Sequence, residues 1–438
     1  MSSKTIIIGA GITGLSLAYH LKKPYLVLEK ENKPGGLCRS ERVKGCTFDY
    51  SGHFIHFHRG ETLKFVKNIL GGNHLAKISR NAGIYTHKVT VPYPFQANLY
   101  ALPEKIRKEC LDGFINKPSA SHFPLPTSNF FNWSMSTFGN GITKYFMKPY
   151  NEKLWAVSSK KLTTEWVAPF VPQPTLKEIR SGASQKQEKR FGYNTCFSYP
   201  KEGGIQSLIN GISAKTKNIK LNTEAKKIDI KERYVETANG QRHYFNRLIS
   251  TQPLPALLDQ IVGLPVEVRQ ARKKLLWNSV CCLNAAFKSS KMGNMVTGTK
   301  VHWLYFPEKK YSFYRVGVYS NILNGMAPKG LSSLYIEISR QAGKTKFNRK
   351  NILAGVIQGL EASGIINKGA KPEIVSWMDM PCAYVIYDKN YTASLKTIMN
   401  FLKKNHIQST GRYGGWKYSF MEESIWESMQ LAKEINEN

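Results

Sequence analysis

The chain has 438 residues, 42% hydrophobic and 12% aromatic, with a formal net charge of +33. That length exceeds one compact core and suits two or three domains, and the apolar content excludes wholesale disorder. The Lys and Arg residues are spread along the chain without a long basic block, so the charge reads as a solvated surface, and no RNA or DNA motif supports a nucleic-acid binder.

No apolar run reaches the ~18 residues of a spanning helix. The N-terminal MSSKTIIIGAGITG lacks the h-region and cleavage site of a signal peptide. The cysteines, Cys38, Cys46, Cys110, Cys196, Cys281, Cys282 and Cys382, are odd in number, scattered and without CxxC spacing. They argue against a disulfide framework or zinc knuckle and for a reducing cytosol, so the expected location is cytoplasmic.

In chain order, KTIIIGAGITGLSLAYHL reads as strand, tight turn and helix, and YLVLEK as the next strand. Residues 61 to 190 become more helical, punctuated by proline in VPYPF, FPLPT and FVPQPT. SLINGISAK reads as a helix, followed by strands around an NG turn and by the strand RLIS. Residues 275 to 340 alternate apolar and polar positions, as in YSFYRVGVYS, which predicts an antiparallel sheet. TASLKTIMNFLKKN is a helix, GRYGGW a glycine turn, and MEESIWESMQLAKEI the last helix.

Gly9, Gly11 and Gly14 stand in G-x-G-x-x-G register between an apolar strand and a helix, and the next strand ends at Glu29. Glycines there allow a tight turn and close approach to a pyrophosphate, which meets the free N–H groups and positive end of the helix. A carboxylate at Glu29 would accept from both hydroxyls of an adenosine ribose and repel a 2′-phosphate, which disfavours NADP. A second pair, Gly35 and Gly36, follows at once. It resembles the second turn of FAD enzymes of the amine oxidase type.

FDYSGHFIHFH then brings His53, His56 and His58 within six residues. A metal site would need further ligands, and neither H-E-x-x-H nor a cysteine pair accompanies them. The segment resembles the G-A-H-I-F-H stretch of UDP-galactopyranose mutases. That resemblance puts His53 at the flavin and His56 in the same wall; the plain alternative for His56 and His58 is packing or surface.

The resemblance to these mutases, and to the wider superfamily of FAD-dependent amine oxidases and protoporphyrinogen oxidases, continues in patches along most of the chain. VTVPYPFQANLYAL, FGNGITKYFMKPYNEKLWAVSSKKL, YPKEGGIQSLI, YSFYRVGVYS, AYVIYDKNY and GRYGGWKYSFMEESI occur in the family's order. The match implies FAD bound by Gly9, Gly11, Ile12, Thr13, Gly14, Glu29, Lys30, Gly35, Gly36, Leu37, His53, Phe54, Arg412, Tyr418 and Met421, with Gly203 and Gly204 close by. It implies Trp155 and Tyr150 in a nucleotide-sugar site, Arg315 on the substrate diphosphate and Tyr384 beside it. Catalytic roles fall to His53, Arg315 and Tyr384, and no metal is implied. Read without the family, Arg315 is a charge on an alternating strand, Trp155 a buried tryptophan and Tyr384 sheet packing. One departure stands out: where mutases carry a second diphosphate arginine, this chain reads Pro-Gln-Pro, with Arg180 further on.

The implied fold is α/β: a Rossmann-like FAD-binding domain from residues 1–65, 195–255 and 378–438, a mainly helical insert at 66–194, and an antiparallel sheet domain at 256–377. The implied activity is interconversion of pyranose and furanose forms of a nucleotide-diphosphate sugar, with N5 of the reduced flavin as nucleophile. The alternative is an FAD-dependent oxidoreductase of the amine oxidase, protoporphyrinogen oxidase or desaturase type. The resemblance admits a reductant such as NAD(P)H and a homo-oligomer.

Overall fold

The computed structural model describes residues 4–71, 74–119, 129–168, 170–189, 191–343 and 348–437, so the FPLPT run lies outside the described residues. Short, wholly apolar runs make strands covered on both faces. Thr5–Ile8 is fully buried and pairs in parallel with Tyr25–Leu28 on one side and Arg247–Ser250 on the other. Ile219–Lys220 and Ile407–Ser409 complete a five-stranded parallel sheet. It draws on three separate stretches of the chain. The helix Ile12–His20 starts directly after the first strand, and the last helix, Met421–Glu437, packs along it. Ser428 Oγ there donates to the Thr13 carbonyl at 2.9 Å.

The second sheet has seven strands, in the order Ile374–Ile386, Leu276–Lys288, Leu331–Gln341, Arg315–Val318, Trp303–Tyr305, Ala82–Thr86 and Val89–Pro92. All neighbours are antiparallel except Trp303–Tyr305 beside Ala82–Thr86. The expected boundaries differ here from the observed elements. Two strands of the 66–194 segment join this sheet, and the strand Ile374–Ile386 runs across residue 378. AGIYT and VTVP are too short for their alternation to stand out beside the helices Glu104–Ile115, Phe130–Ile142 and Lys148–Trp155.

One irregularity aims side chains at the site. Asn278 pairs with Tyr384 but Val280 with Met380, so residues 381–383 bulge out of the edge strand. Asn278 is fully buried and holds the bulge from both sides. Its Oδ1 accepts from Tyr384 N at 2.9 Å, and its Nδ2 donates to the Leu154 carbonyl at 2.7 Å. Among the described residues no helix is long and apolar enough to cross a membrane.

Candidate active site

A cavity of about 860 Å³ runs from the first glycine loop to a wall of tyrosines on the antiparallel sheet. Its size suits a ligand pocket. At one end Gly9, Gly11, Ile12, Thr13, Gly35, Gly36 and Leu37 line it together. The two glycine turns are joined: Gly35 N donates to the Ala10 carbonyl at 2.8 Å, and Gly11 bridges to Gly35. A side chain at Gly11 would meet nothing closer than 3.9 Å in the protein, so the space in front of it is free for a ligand. Gly14 does not line the cavity; a Cβ there would lie 2.0 Å from the Gly9 carbonyl, so this glycine serves helix–loop packing.

Glu29 ends the second strand, is 6% exposed and lines the cavity. Its two oxygens accept from Ala10 N at 2.7 Å and Glu31 N at 3.0 Å, which fixes the carboxylate and leaves its remaining lone pairs for a ligand. Lys30 is at the mouth, with a largely exposed side chain near Glu31. At the other end of the same loop system, Gly411 stands against Thr13: a Cβ on it would be 2.5 Å from Thr13 Oγ1. These residues are arranged so that they would fit a dinucleotide such as FAD, with the Glu29 carboxylate placed for ribose hydroxyls.

The three histidines diverge. His53 lines the cavity and its Nδ1 is buried without a protein partner. Burial, then the nearby Arg412 and Arg315 charges, pull its pKa down to about 4, so the imidazole is neutral at pH 7. His56 also lines the cavity, with Nδ1 3.2 Å from the Cys196 carbonyl and its ring against Tyr193. His58 turns away to Glu422, a fully buried carboxylate that also accepts from the backbone N–H groups of His58 and Arg59 and from Thr62 Oγ1. The cluster is thus two wall residues and one clamp on the last helix. Among the described residues no group of three His, Cys, Asp or Glu side chains is placed to hold a metal ion.

Arg315 lines the far end, paired across the strands with Glu337, which is 1% exposed. Its Nε donates to Glu337 Oε2, and its Nη2 donates to Oε1 at 2.7 Å and to Ser51 Oγ at 3.2 Å. Ser51 Oγ donates in turn to Glu337 Oε1. The Nε and Nη2 edge of the guanidinium fork is therefore occupied by Glu337, with Ser51 on Nη2. Tyr150 and Tyr384 line the cavity on either side, Tyr150 5.1 Å from the Tyr305 ring.

Trp155 departs from the expectation. It is fully buried, does not line the cavity, and stands behind Tyr384 and Tyr418 at 5.5 and 5.6 Å between ring centres. The cause is the helix end: Ala156 is left-handed at φ 56°, and the Leu154 carbonyl is held by Asn278 Nδ2 and by Ser339 Oγ at 2.8 Å. Trp155 Nε1 then donates back to Asn151 Oδ1 at 3.3 Å. Gly203 and Gly204 also fall outside the lining; a Cβ on them would strike Ser207 and Ser40. Arg180 is exposed on the helix Leu176–Ser184, away from the cavity.

Arg412 lines the cavity but spends its donors on the chain. Nη1 donates to the Ser419 carbonyl and Nη2 to the bulge carbonyl of Ala383 at 3.2 Å. The rings of Tyr384, Tyr413 and Tyr418 surround it at 5.3, 5.5 and 5.1 Å. Phe54, stacked on Trp303, and Met421, which opens the last helix, complete this wall.

Several lining residues went unread in the sequence: Arg39, Ser51, Tyr93, Tyr193, Asn194, Tyr305, Tyr335 and Glu337. Only Glu337 carried a usable signal, an acid on an alternating strand near Arg315; the pairing that joins them needs the sheet register.

Asp49, fully buried behind the cavity, accepts from Ser40 Oγ at 2.5 Å and Tyr199 Oη at 2.6 Å. Burial outweighs these bonds and raises its pKa to about 7. A carboxyl whose folded pKa is raised binds its proton more tightly when folded, so its stabilising effect is lost as pH rises from about 4 to about 7. Asp49→Asn, which stays neutral, is expected to gain on wild type across that window, by on the order of 4 kcal/mol at pH 8 and little at pH 4. Urea unfolding at both pH values checks it.

Known proteins share the fold. Residues 7–69 match the NAD(P)-binding Rossmann-like domain model. Over 55 residues the chain is 47% identical to an uncharacterized protein encoded in the nifH2 3′ region of Methanothermococcus thermolithotrophicus; the match covers 12% of this chain and about half, 53%, of that protein. Among solved structures, reduced UDP-galactopyranose mutase is similar with a TM-score of 0.92 and 28% identity over 99% of this chain and 95% of that one. A protein assigned as a protoporphyrinogen oxidase of Exiguobacterium sp. 255-15 (TM-score 0.76, 16% identity, 100% and 99% of the two chains) and putrescine oxidase (0.67, 15%, 100% and 100%) share the fold. From its first glycine loop to its last helix, the chain has the fold of reduced UDP-galactopyranose mutase, a fold that the protoporphyrinogen oxidase-like protein and putrescine oxidase share.

Proposed function

We propose that the protein is an FAD-dependent isomerase that interconverts the pyranose and furanose forms of a nucleotide-diphosphate sugar. The observation that carries this reading is the single cavity joining the dinucleotide cradle to Arg315 and its tyrosine wall; the whole-length similarity to reduced UDP-galactopyranose mutase supports it. When bound and reduced, FAD supplies a nucleophilic nitrogen, N5, in a reaction without net electron transfer. The chain's own residues do the rest. Glu29 and the glycine turns hold the adenosine and pyrophosphate. His53, neutral at pH 7, offers an unpartnered buried nitrogen as a hydrogen-bonding group rather than a proton carrier. The free edge of Arg315 meets the departing diphosphate, with the hydroxyls of Tyr150 and Tyr384 donating beside it. Glu337 and Ser51 hold the guanidinium still while it does so.

An oxidase of the putrescine oxidase kind shares the fold, and rings of tyrosine are a natural cage for an ammonium substrate. Here that cage, formed by Tyr384, Tyr413 and Tyr418, is filled by Arg412 of the chain itself. This observation favours the isomerase. Purified protein is expected to be yellow and to release FAD on denaturation. Incubated with UDP-, GDP- and dTDP-hexoses, it is expected to interconvert ring forms only after dithionite reduction and without stoichiometric oxidation, read by chromatography. Oxygen consumption with an amine or polyene, and no turnover of any nucleotide sugar, would establish the oxidase instead.

A further inference from the structure

Charge at the ring end of the cavity is poorly matched to a diphosphate. The cations among its described lining residues there are Arg315 and Arg412; of the acids there, Glu337 is paired with Arg315 and Asp379 with Arg349 outside the lining. Arg315 is paired with Glu337, and Arg412 is engaged by two carbonyls and three rings. The stretch around Pro-Gln-Pro brings Trp166, Phe170, Val171 and Pro172 to the wall, and no cation. It is tied down there: Gln96 Nε2 donates to the Pro172 carbonyl at 2.6 Å, and the Phe170 ring is 4.4 Å from Tyr418 and 5.2 Å from Tyr193.

A further cation stands just behind this wall. Arg80 Nη1 donates to Asn194 Oδ1, Nη2 donates to the Phe191 carbonyl at 2.9 Å, and the guanidinium lies 4.4 Å over the Tyr93 ring. Asn194 and Tyr93 both line the cavity. Tyr93 in turn is 5.7 Å from Tyr305, the residue paired across the strands with Arg315. Among the described residues no carboxylate pairs with Arg80, so its charge is not cancelled. Guanidinium has only donors, so it fixes the Asn194 amide with the oxygen toward Arg80 and the NH₂ on the other side.

We propose that Asn194, oriented by Arg80, is the second anion contact of this cavity: its amide NH₂ donates to a phosphate oxygen, with the Arg80 charge behind it. This takes over the task of the arginine absent from Pro-Gln-Pro, and it rests on the nucleotide-sugar reading above. The pair binds and positions the diphosphate; no bond to the sugar is made or broken by it.

The test is calorimetric titration of FAD-loaded protein with UDP and with uridine. Asn194→Ala is expected to weaken UDP about tenfold, the loss of one hydrogen bond to a charged group, and to leave uridine unchanged. Asn194→Asp is expected to weaken UDP about a hundredfold, because a carboxylate then faces the phosphate. Arg80→Met should match Asn194→Ala, and the double variant should be no worse than about the weaker single, since the two act through one contact. Arg80→Lys, which retains the charge and a donor for Asn194, should stay within about threefold of wild type. Visible flavin absorbance and melting temperature verify folding, and Asn194→Ala carries the test if Asn194→Asp does not fold. Unchanged UDP affinity in Asn194→Ala, equal weakening of UDP and uridine, or additive losses in the double variant would overturn the proposal while leaving the isomerase reading in place. If wild type binds none of UDP, GDP or dTDP, the nucleotide-sugar reading fails and this contact with it.

Discussion

Arg315→Ala is expected to lower kcat/KM for the nucleotide sugar about a hundredfold, ~3 kcal/mol of transition-state stabilisation, and at the same time to destabilise the fold. The second effect follows from Glu337. That carboxylate is 1% exposed and both its oxygens accept from Arg315. Removing the guanidinium leaves a buried charge with only Ser51 to answer it, a change of ~3–5 kcal/mol. The two effects separate in the double variant Arg315→Met, Glu337→Met. Replacing both partners by apolar side chains restores most of the stability, because neither charge is then left unpaired, but it returns no activity. Urea unfolding of the three proteins beside single-turnover kinetics of the reduced enzyme distinguishes the outcomes. Wild-type kinetics in Arg315→Ala would place the diphosphate elsewhere in the cavity. Arg315→Lys is expected to rescue only partly: the ammonium still answers the Glu337 charge and returns much of the stability, but it cannot span both Glu337 oxygens and still present a fork to the ligand, so activity returns little.

Gly14→Ala is expected to yield protein without bound flavin. The new Cβ would lie 2.0 Å from the Gly9 carbonyl oxygen and 3.1 Å from its carbon, both backbone atoms of the turn proposed to hold the pyrophosphate. No side-chain rotation relieves that contact, so the helix must move off the loop and the cradle opens. Gly11→Ala makes the informative contrast. Its nearest protein atom would be 3.9 Å away and its φ is −74°, so the apoprotein should fold as wild type does and only the ligand should be obstructed. The expected pattern is a lowered melting temperature and no visible flavin absorbance for Gly14→Ala, against an unchanged apoprotein melting temperature and weakened FAD titration for Gly11→Ala. Equal flavin content in Gly14→Ala and wild type would remove the loop from the cofactor site.

The dinucleotide end was legible in the sequence because its chemistry is local. Strand, glycine turn, helix and acid follow one another within about thirty residues, and each residue type answers a constraint set by its near neighbours in the chain. Gly9, Gly11 and Glu29 therefore stand in the cavity wall as a reading of spacing predicts, and Gly35 is bonded to Ala10. Alternation within residues 275 to 340, a local property, pointed to an antiparallel sheet, and strands lie there at 276–288 and 331–341, although both are buried on both faces along their middles.

The ring end was decided by contacts between residues far apart in the chain. Arg315 looks like a surface charge on its strand; only the register against Leu331–Gln341 sets it on Glu337, and only the approach of residue 51 adds the serine. The resemblance puts Trp155 in a substrate site, yet Asn278 and Ser339, more than a hundred residues away, pin the Leu154 carbonyl and leave the indole in the core. Arg80 and Asn194 are separated by 114 positions and carry no motif. Local sequence determines which residues can make a turn, a strand or a helix cap, because those depend on backbone sterics and near neighbours. Which charges end up paired, and which donors are left facing a cavity, depends on how the antiparallel sheet lies against the helices beside it, and that was settled only when the chain was folded.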